Sequence, residues 1–257
     1  MDVYWLEQAE SDVPVEDHWL SAGEAARLDA MRIIKRRADW RLGRWTAKRA
    51  VAAYLDVPGH PQALANIEIR PAPSGAPEVF ILDTAAPATI SLSHRNGTAF
   101  CAVAPSGAAL GCDLELIEPR SDAFIADYFT AEEQALVARM SLENRPGLLA
   151  LLWSAKESGL KALGAGLRLD TRSVEVTVVD ALQRCGKSGD EVAEDTALSF
   201  QQSCGNSWRP LQVRYIEGQN FCGWWQQTGN LLRTLVAVPP PLPPTPLALR
   251  TASRTST

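Results

Sequence analysis

The sequence predicts an α+β (α/β) chain in which short strands and capped helices are spread over two halves of similar make-up. Three observations predict it. Brief alternating segments, such as Ile67-Glu68-Ile69-Arg70 and Val174-Glu175-Val176-Thr177-Val178, have the period of half-buried strands. Ser21-x-x-Glu24 in one half and Thr130-Ala131-Glu132-Glu133 in the other are capping boxes at the heads of helical runs. With 46% hydrophobic residues over 257 positions, the chain can bury a sizeable core as one large domain or two small ones.

In order, Val3 to Leu6 reads as a strand and Ala9 to Ala22 as a loop ending at Ser21. A helix follows from Ala22 to about Lys35. A second runs from Asp39 to Leu55, with Trp40, Trp45, Val51 and Leu55 as core residues and Asp56-Val57-Pro58-Gly59 as its stop. Ile67 to Arg70 and Glu78 to Ile81 are strands on either side of the turn-rich Pro71 to Pro77. Thr89 to His94 is another, turning through Arg95-Asn96-Gly97-Thr98 into Ala99 to Ala104. Pro105-Ser106-Gly107 divides a first half, 1–105, from a second, 106–228.

The second half opens with a strand from Ala108 to Leu116, broken by Glu118-Pro119-Arg120-Ser121. Phe124 to Phe129 reads as a short helix and Glu132 to Met140 as another. Leu148 to Leu163 is a buried helix between Pro146 and the stop signals Gly164 and Gly166. Val174 to Val178, Leu198 to Gln201, Leu211 to Ile216 and Asn220 to Trp225 read as strands, and Arg184 to Asp195 as a polar loop. No internal repeat stands out. Residues 239–257, which begin Pro-Pro-Pro-Leu-Pro-Pro-Thr-Pro, read as a solvated, disordered tail.

Five scattered cysteines without a CxxC spacing argue against a zinc site and a disulfide framework. No apolar run reaches membrane-helix length and the acidic start is not a signal peptide, so the expected compartment is the cytoplasm, with no membrane partner. The formal charge is −5, yet Arg27 to Arg49 holds nine basic residues against two acidic ones. That run supports three readings: a solvated helix face, a nucleic-acid surface, or a grip on a nucleotide with several phosphates. The acidic whole and the lack of a nucleic-acid reading module count against the second.

The chemistry centres on Trp153-Ser154-Ala155-Lys156-Glu157-Ser158-Gly159-Leu160-Lys161. Glu157 and Lys161 lie one helical turn apart on one face, with Lys156 on its flank, so an acid and two amines can converge. Upstream, Asp113 and Glu115 point to the same side of a strand, where two carboxylates repel unless a cation lies between them. Such oxygens suit Mg²⁺, with Mn²⁺ as an alternative, and Glu157 offers a third ligand. Lys156 and Lys161 would then face the phosphates. Ser93 and His94 end a strand with short donors suited to phosphate. Glu133 is a capping-box residue on local signals.

Gly111-x-Asp113-x-Glu115 followed by Trp153-x-x-Lys156-Glu157-x-x-x-Lys161 resembles the signature of the 4'-phosphopantetheinyl transferases, particularly the Sfp-like group. Ile90-Ser91-Leu92-Ser93-His94 is similar to that family's Ser-x-Ser-His element, and Arg36 to Trp45 to its basic segment. The resemblance spans roughly residues 1 to 225. It implies a monomer of two similar α/β halves about a pseudo-twofold axis, and a cytoplasmic Mg²⁺-dependent enzyme. The reaction implied is transfer of the phosphopantetheine arm of coenzyme A to a serine of an apo acyl, peptidyl or aryl carrier protein.

The resemblance also implies roles. Asp113, Glu115 and Glu157 would hold the metal, and Glu157, Glu133 and Lys161 would act in catalysis. Arg37, Arg44, Lys48, Ser93, His94, Lys156 and Lys161 would contact coenzyme A. Carrier docking is expected around Phe124 to Arg139. The rival is a non-catalytic protein that binds nucleotide or nucleic acid through Arg27 to Arg49.

Overall fold

A computed structural model describes residues 1–178 and 207–249. The expected loop Arg184 to Asp195 and strand Leu198 to Gln201 lie outside them. The first half contains β1 (Tyr4–Ala9), α1 (Ala22–Asp29), α2 (Ile34–Tyr54), α3 (Pro61–Leu64), β2 (Ile67–Pro71), β3 (Pro77–Ile81), β4 (Thr84–Ala85), β5 (Ala88–Arg95) and β6 (Thr98–Pro105). The second contains β7 (Ala109–Leu116), α4 (Asp122–Tyr128), α5 (Ala131–Arg139), α6 (Arg145–Ala162), β8 (Val174–Val178), β9 (Arg209–Tyr215), β10 (Asn220–Thr228) and β11 (Leu231–Val238). A last strand, β12 (Thr245–Pro246), returns to the first half.

The described residues form a sheet in the order β12-β1-β6-β5, another in the order β7-β11-β10-β9-β8, and a three-stranded sheet β2-β3-β4. The pairings correspond: β1 with β6 and β6 with β5 are antiparallel, as are β7 with β11 and β11 with β10. Likewise β2 pairs with β3 as β8 pairs with β9. Helix α2 lies against β6, β1 and β5, and α6 against β7 and β11. The chain is mixed α/β.

Each long helix covers its own core. Trp19, Leu28, Trp45, Val51, Leu64 and Ile67 pack in the first half; Phe129, Leu148, Leu152, Leu160, Val213 and Phe221 pack in the second. A third cluster, with Val3, Phe100 and Ala102 from the first half and Leu110, Cys112, Leu114 and Leu235 from the second, joins the halves without polar atoms in their side chains apart from the thiol. Gly111 sets how closely α6 approaches β7, because a Cβ there would stand 1.8 Å from the Ser158 carbonyl oxygen. The first residue of the Gly-x-Asp-x-Glu motif is therefore steric in its role.

Several elements differ from expectation. Helix α1 stops at Asp29 rather than Lys35, and α2 begins at Ile34 rather than Asp39. The break is held by the Arg37 guanidinium, which donates to the carbonyls of Leu28 and, at 3.2 Å, Met31, satisfying groups a helix end leaves bare. Strand β1 continues to Ala9. Strand β11 was not anticipated at all; its Leu-Leu-Arg-Thr-Leu-Val-Ala-Val is buried from Leu232 to Ala237, so neither face supplies the polar alternation that marks a half-buried strand.

A further correction concerns the proline-rich segment. Residues 239–249 form no solvated tail: Leu242 N donates to Met1 O at 2.9 Å, Thr245 N to Val3 O at 3.0 Å and Leu247 N to Trp5 O at 2.8 Å. β12 runs parallel to β1 and closes its outer edge, while Leu247 and Leu249 pack on the first core. An edge strand suits prolines, since half of its N–H groups have no ladder partner to lose.

Candidate active site

A cavity of about 470 Å³ opens where the two halves meet. Its walls are Leu92 to Arg95 at the end of β5, Asp113 to Glu115 on β7, Trp153, Glu157 and Lys161 on α6, and Asp39, Trp40, Gly43 and Arg44 at the head of α2. Four-residue spacing puts Trp153, Glu157 and Lys161 on one helical face. Asp113 and Glu115 share a strand face by their period of two.

Asp113 Oδ1 accepts from Ser93 Oγ at 2.7 Å and from Lys161 Nζ at 2.8 Å; Lys161 also donates to the Cys112 carbonyl at 3.0 Å. Burial works against the Lys161 charge, but Asp113 and its neighbours outweigh it and hold the ammonium pKa above its ordinary value. Glu157 is pushed the other way. Burial raises its carboxyl pKa, the charges of Asp113 and Glu115 raise it further, and Lys161 offsets part of the effect. Glu115 is raised by burial and by Asp113, against the guanidinia of Arg95 and Arg120.

Two buried carboxylate oxygens, Asp113 Oδ2 and Glu157 Oε1, have no hydrogen-bond partner. Unpaired lone pairs among mutually repelling acids are the donor set a hard dication satisfies, so the residues fit Mg²⁺ in chemical kind. No three metal-ligating side chains form a ready cluster among the described residues. Lys161 stands against Asp113, and Arg120 Nη2 stands 2.6 Å from Glu115 Oε2, so cations of the chain neutralise part of this charge.

Sequence reasoning missed Arg95 and Arg120. Arg95 lines the cavity and bonds Glu118 at 2.7 Å; Arg120 lies 3.3 Å from the same Glu118 and 5.2 Å over the Phe124 ring. This arginine–glutamate ladder links β5 to the segment after β7. Its signal was the grouping of Glu115, Glu118 and Arg120, passed over as a strand break.

The other expected residues divide. Arg44 lines the cavity, stacked at 5.0 Å over Trp40 and 3.8 Å from Glu24, and burial lowers its pKa. His94 lines it and is exposed. Ser93 is there too, but its hydroxyl is engaged in orienting Asp113 rather than left for a phosphate. Arg37 is not in the wall, since it ties down the carbonyls after α1. Arg41 bonds Asp17 and the carbonyls of Pro14 and Val15, so part of the basic run is consumed inside the first half, while Arg27, Arg32, Lys35 and Arg36 are exposed.

Lys48, Lys156 and Glu133 are not in the cavity, and a correspondence explains why. Trp45-Thr46-Ala47-Lys48 on α2 and Trp153-Ser154-Ala155-Lys156 on α6 are alike, an internal repeat that the sequence reading passed over. Lys48 is fully buried, ion-paired with Glu24, and donates to the carbonyls of Trp19 at 2.8 Å and Leu64 at 3.2 Å. Lys156 is fully buried, 2.8 Å from Glu133, and donates to Thr171 O at 3.0 Å and to Val174 O.

The glutamates match as well. Glu24 completes the capping box of α1 and accepts from Ile69 N on β2 at 3.1 Å. Glu133 completes that of α5 and accepts from Val176 N on β8 at 3.3 Å. Burial lowers both lysine pKa values and the partner glutamate raises them. Each pair rivets a helix start to a strand through the neighbouring long helix, and every donor is spent on it.

The family described as the 4'-phosphopantetheinyl transferase superfamily matches residues 109–214. The chain is 27% identical over 218 residues to 4'-phosphopantetheinyl transferase HetI of Nostoc sp. (strain PCC 7120), covering 82% of this chain and 89% of that protein. A crystal structure of Helicobacter pylori holo-[acyl-carrier-protein] synthase in complex with coenzyme A is similar over 40% of this chain and 99% of that one, at 16% identity and a TM-score of 0.33, too low to bear on the fold. The matched segment contains β7, α6 and the acids they bring to the cavity, and over that segment the chain is similar to the 4'-phosphopantetheinyl transferase superfamily.

Proposed function

We propose that the protein transfers the 4'-phosphopantetheine arm of coenzyme A to a serine hydroxyl of an apo acyl, peptidyl or aryl carrier protein and releases adenosine 3',5'-bisphosphate. The observation that carries this reading is the cavity in which Asp113, Glu115, Glu157 and Lys161 of the second half face Arg44 and His94 of the first. An acidic wall opposite a basic one suits a metal-bound pyrophosphate and its nucleotide. Two similar α/β halves about a pseudo-twofold axis complete that cavity within one subunit, which favours a monomer.

The serine oxygen attacks the β-phosphorus of coenzyme A, forming a P–O bond as the bond to the bridging oxygen breaks. Asp113, Glu115 and Glu157 would hold Mg²⁺, which when bound neutralises pyrophosphate charge. Lys161 lies where charge grows on the phosphoryl and leaving oxygens. Ser93 fixes the Asp113 carboxylate, and Arg44 and His94 meet the nucleotide end. Since Glu133 is committed to Lys156, Glu157 is the remaining side-chain candidate to take the serine proton.

Carrier docking is placed beside this mouth, on Phe124 and Tyr128, whose rings meet Trp153 of the cavity at 5.1 Å each. Phe129 is fully buried and belongs to the core instead. Intact-mass spectrometry of an apo carrier protein incubated with coenzyme A and Mg²⁺, with a parallel sample in EDTA, tests the function. A gain of one phosphopantetheine that disappears with chelator is expected; no gain across acyl, peptidyl and aryl carriers would overturn it.

A further inference from the structure

The repeat of the long helices has a counterpart in empty space. On α6 the residues Trp153, Glu157 and Lys161 line the first cavity; their counterparts on α2, four residues apart in the same way, are Trp45, Arg49 and Ala53, and these line a second cavity of about 560 Å³. The first is closed on one side by β5, which lies beside β7 and bonds it through Ser91 to Cys112 N and Ser93 to Asp113. The second is closed by Ala248 and Leu249, which follow β12 along β1. Each cavity thus has one face of a Trp-x-Ala-Lys helix as a wall.

The substitutions change what the second cavity can hold. Arg49 in place of Glu157 exchanges a carboxylate for a cation, and Ala53 in place of Lys161 leaves apolar space, continued by Val57, Pro61 and Leu249. Arg49 stacks over Trp45 at 5.2 Å and makes no hydrogen bond or ion pair among the described residues, although it is half-buried; the acid whose charge it feels is Asp12, which lies outside the cavity wall. Asp56, also in the wall, already has an interaction of its own. A guanidinium without a hydrogen-bond partner, at one side of a chamber whose walls are otherwise mainly apolar, selects an anion with a hydrocarbon body.

We propose that the second cavity binds a fatty carboxylate, with its head group on Arg49 and its chain against Trp45, Ala53 and Leu249. Neither the transfer reaction nor its metal enters this inference, so it stands or falls separately from the proposed function. Isothermal titration of the full chain with decanoate, decanol and acetate tests it. Saturable decanoate binding is expected, tighter than that of decanol or acetate and unaffected by saturating coenzyme A.

Arg49→Met should weaken decanoate by about tenfold or more, the loss of a charge-assisted bond, while leaving coenzyme A binding unchanged. Ala53→Met, which fills the chamber, should remove it. If Arg49→Met proves unfolded, Arg49→Lys and the decanoate-over-decanol preference of the natural chain carry the test. No saturable binding, equal binding of decanol, competition by coenzyme A, or a folded Arg49→Met that binds as before would overturn the proposal.

Discussion

Helices α2 and α6 carry nearly the same four-residue text and end in different occupations. Both place a tryptophan on one face and bury a lysine on another, where it joins a capping-box glutamate to a strand. They part at the next residue: Arg49 on α2, Glu157 on α6. What is shared between the halves is architecture, and what is confined to one of them is chemistry. Lys156 and Glu133, which in isolation look like an amine and an acid awaiting a substrate, are explained by the first half, where the same pair occurs without the acids of β7.

The largest way to break this comparison is at an acid that has no counterpart. Asp113→Ala is expected to reduce carrier modification by about 10³-fold or more while circular dichroism and the melting midpoint remain close to those of the natural chain. Near-normal turnover by a folded variant would remove Asp113 from the site.

Next come the two rivets, which should respond alike. Lys48→Met and Lys156→Met each strand a buried carboxylate and should cost about 3–5 kcal/mol in urea unfolding. Replacing both partners, as in Lys156→Met with Glu133→Gln, should restore much of that. Activity per folded molecule should be retained in both; a drop in kcat for Lys156→Met alone would mean that the second lysine has acquired chemistry after all.

Gly111→Ala should cost about 1–3 kcal/mol or more, because its new methyl meets backbone of α6 rather than a movable side chain. Its denaturation midpoint should fall without a change in which metal restores activity. The smallest effect is a gain. Because burial and like charges raise the Glu157 pKa, its ionised form is disfavoured in the folded protein, and stability is lost as pH rises from the unfolded carboxyl's range through the folded one. Glu157→Gln should therefore raise the melting midpoint of metal-free protein by a few degrees at neutral pH. The gain should vanish in acid, where both states are protonated.

The sequence made some of this legible through spacing. Residues two apart on a strand and four apart on a helix gather Asp113, Glu115, Glu157 and Lys161 around one cavity without knowledge of the fold. Lys156 misled because a flank position on a helix says which way a side chain leaves, not what waits there. The partners of Lys48 and Lys156 lie 16 to 29 and 15 to 23 residues away, beyond any local pattern. The repeat hid because few positions beyond Trp-x-Ala-Lys agree. Strand β11 was missed for the opposite reason, since burial on both faces erases the alternation on which a strand is recognised.

The parallel pairing of β12 with β1 also governs how the chain meets the ribosome. Synthesis delivers Tyr4 to Ala9 before the second half, but the residues that cover their outer edge, Thr245 to Leu247, come only after it. Throughout elongation the nascent chain carries an uncapped strand whose bare N–H and C=O groups invite pairing with any neighbour. The glutamate at position 7 and the prolines that arrive to close that edge are thus also guards against association between chains still being made.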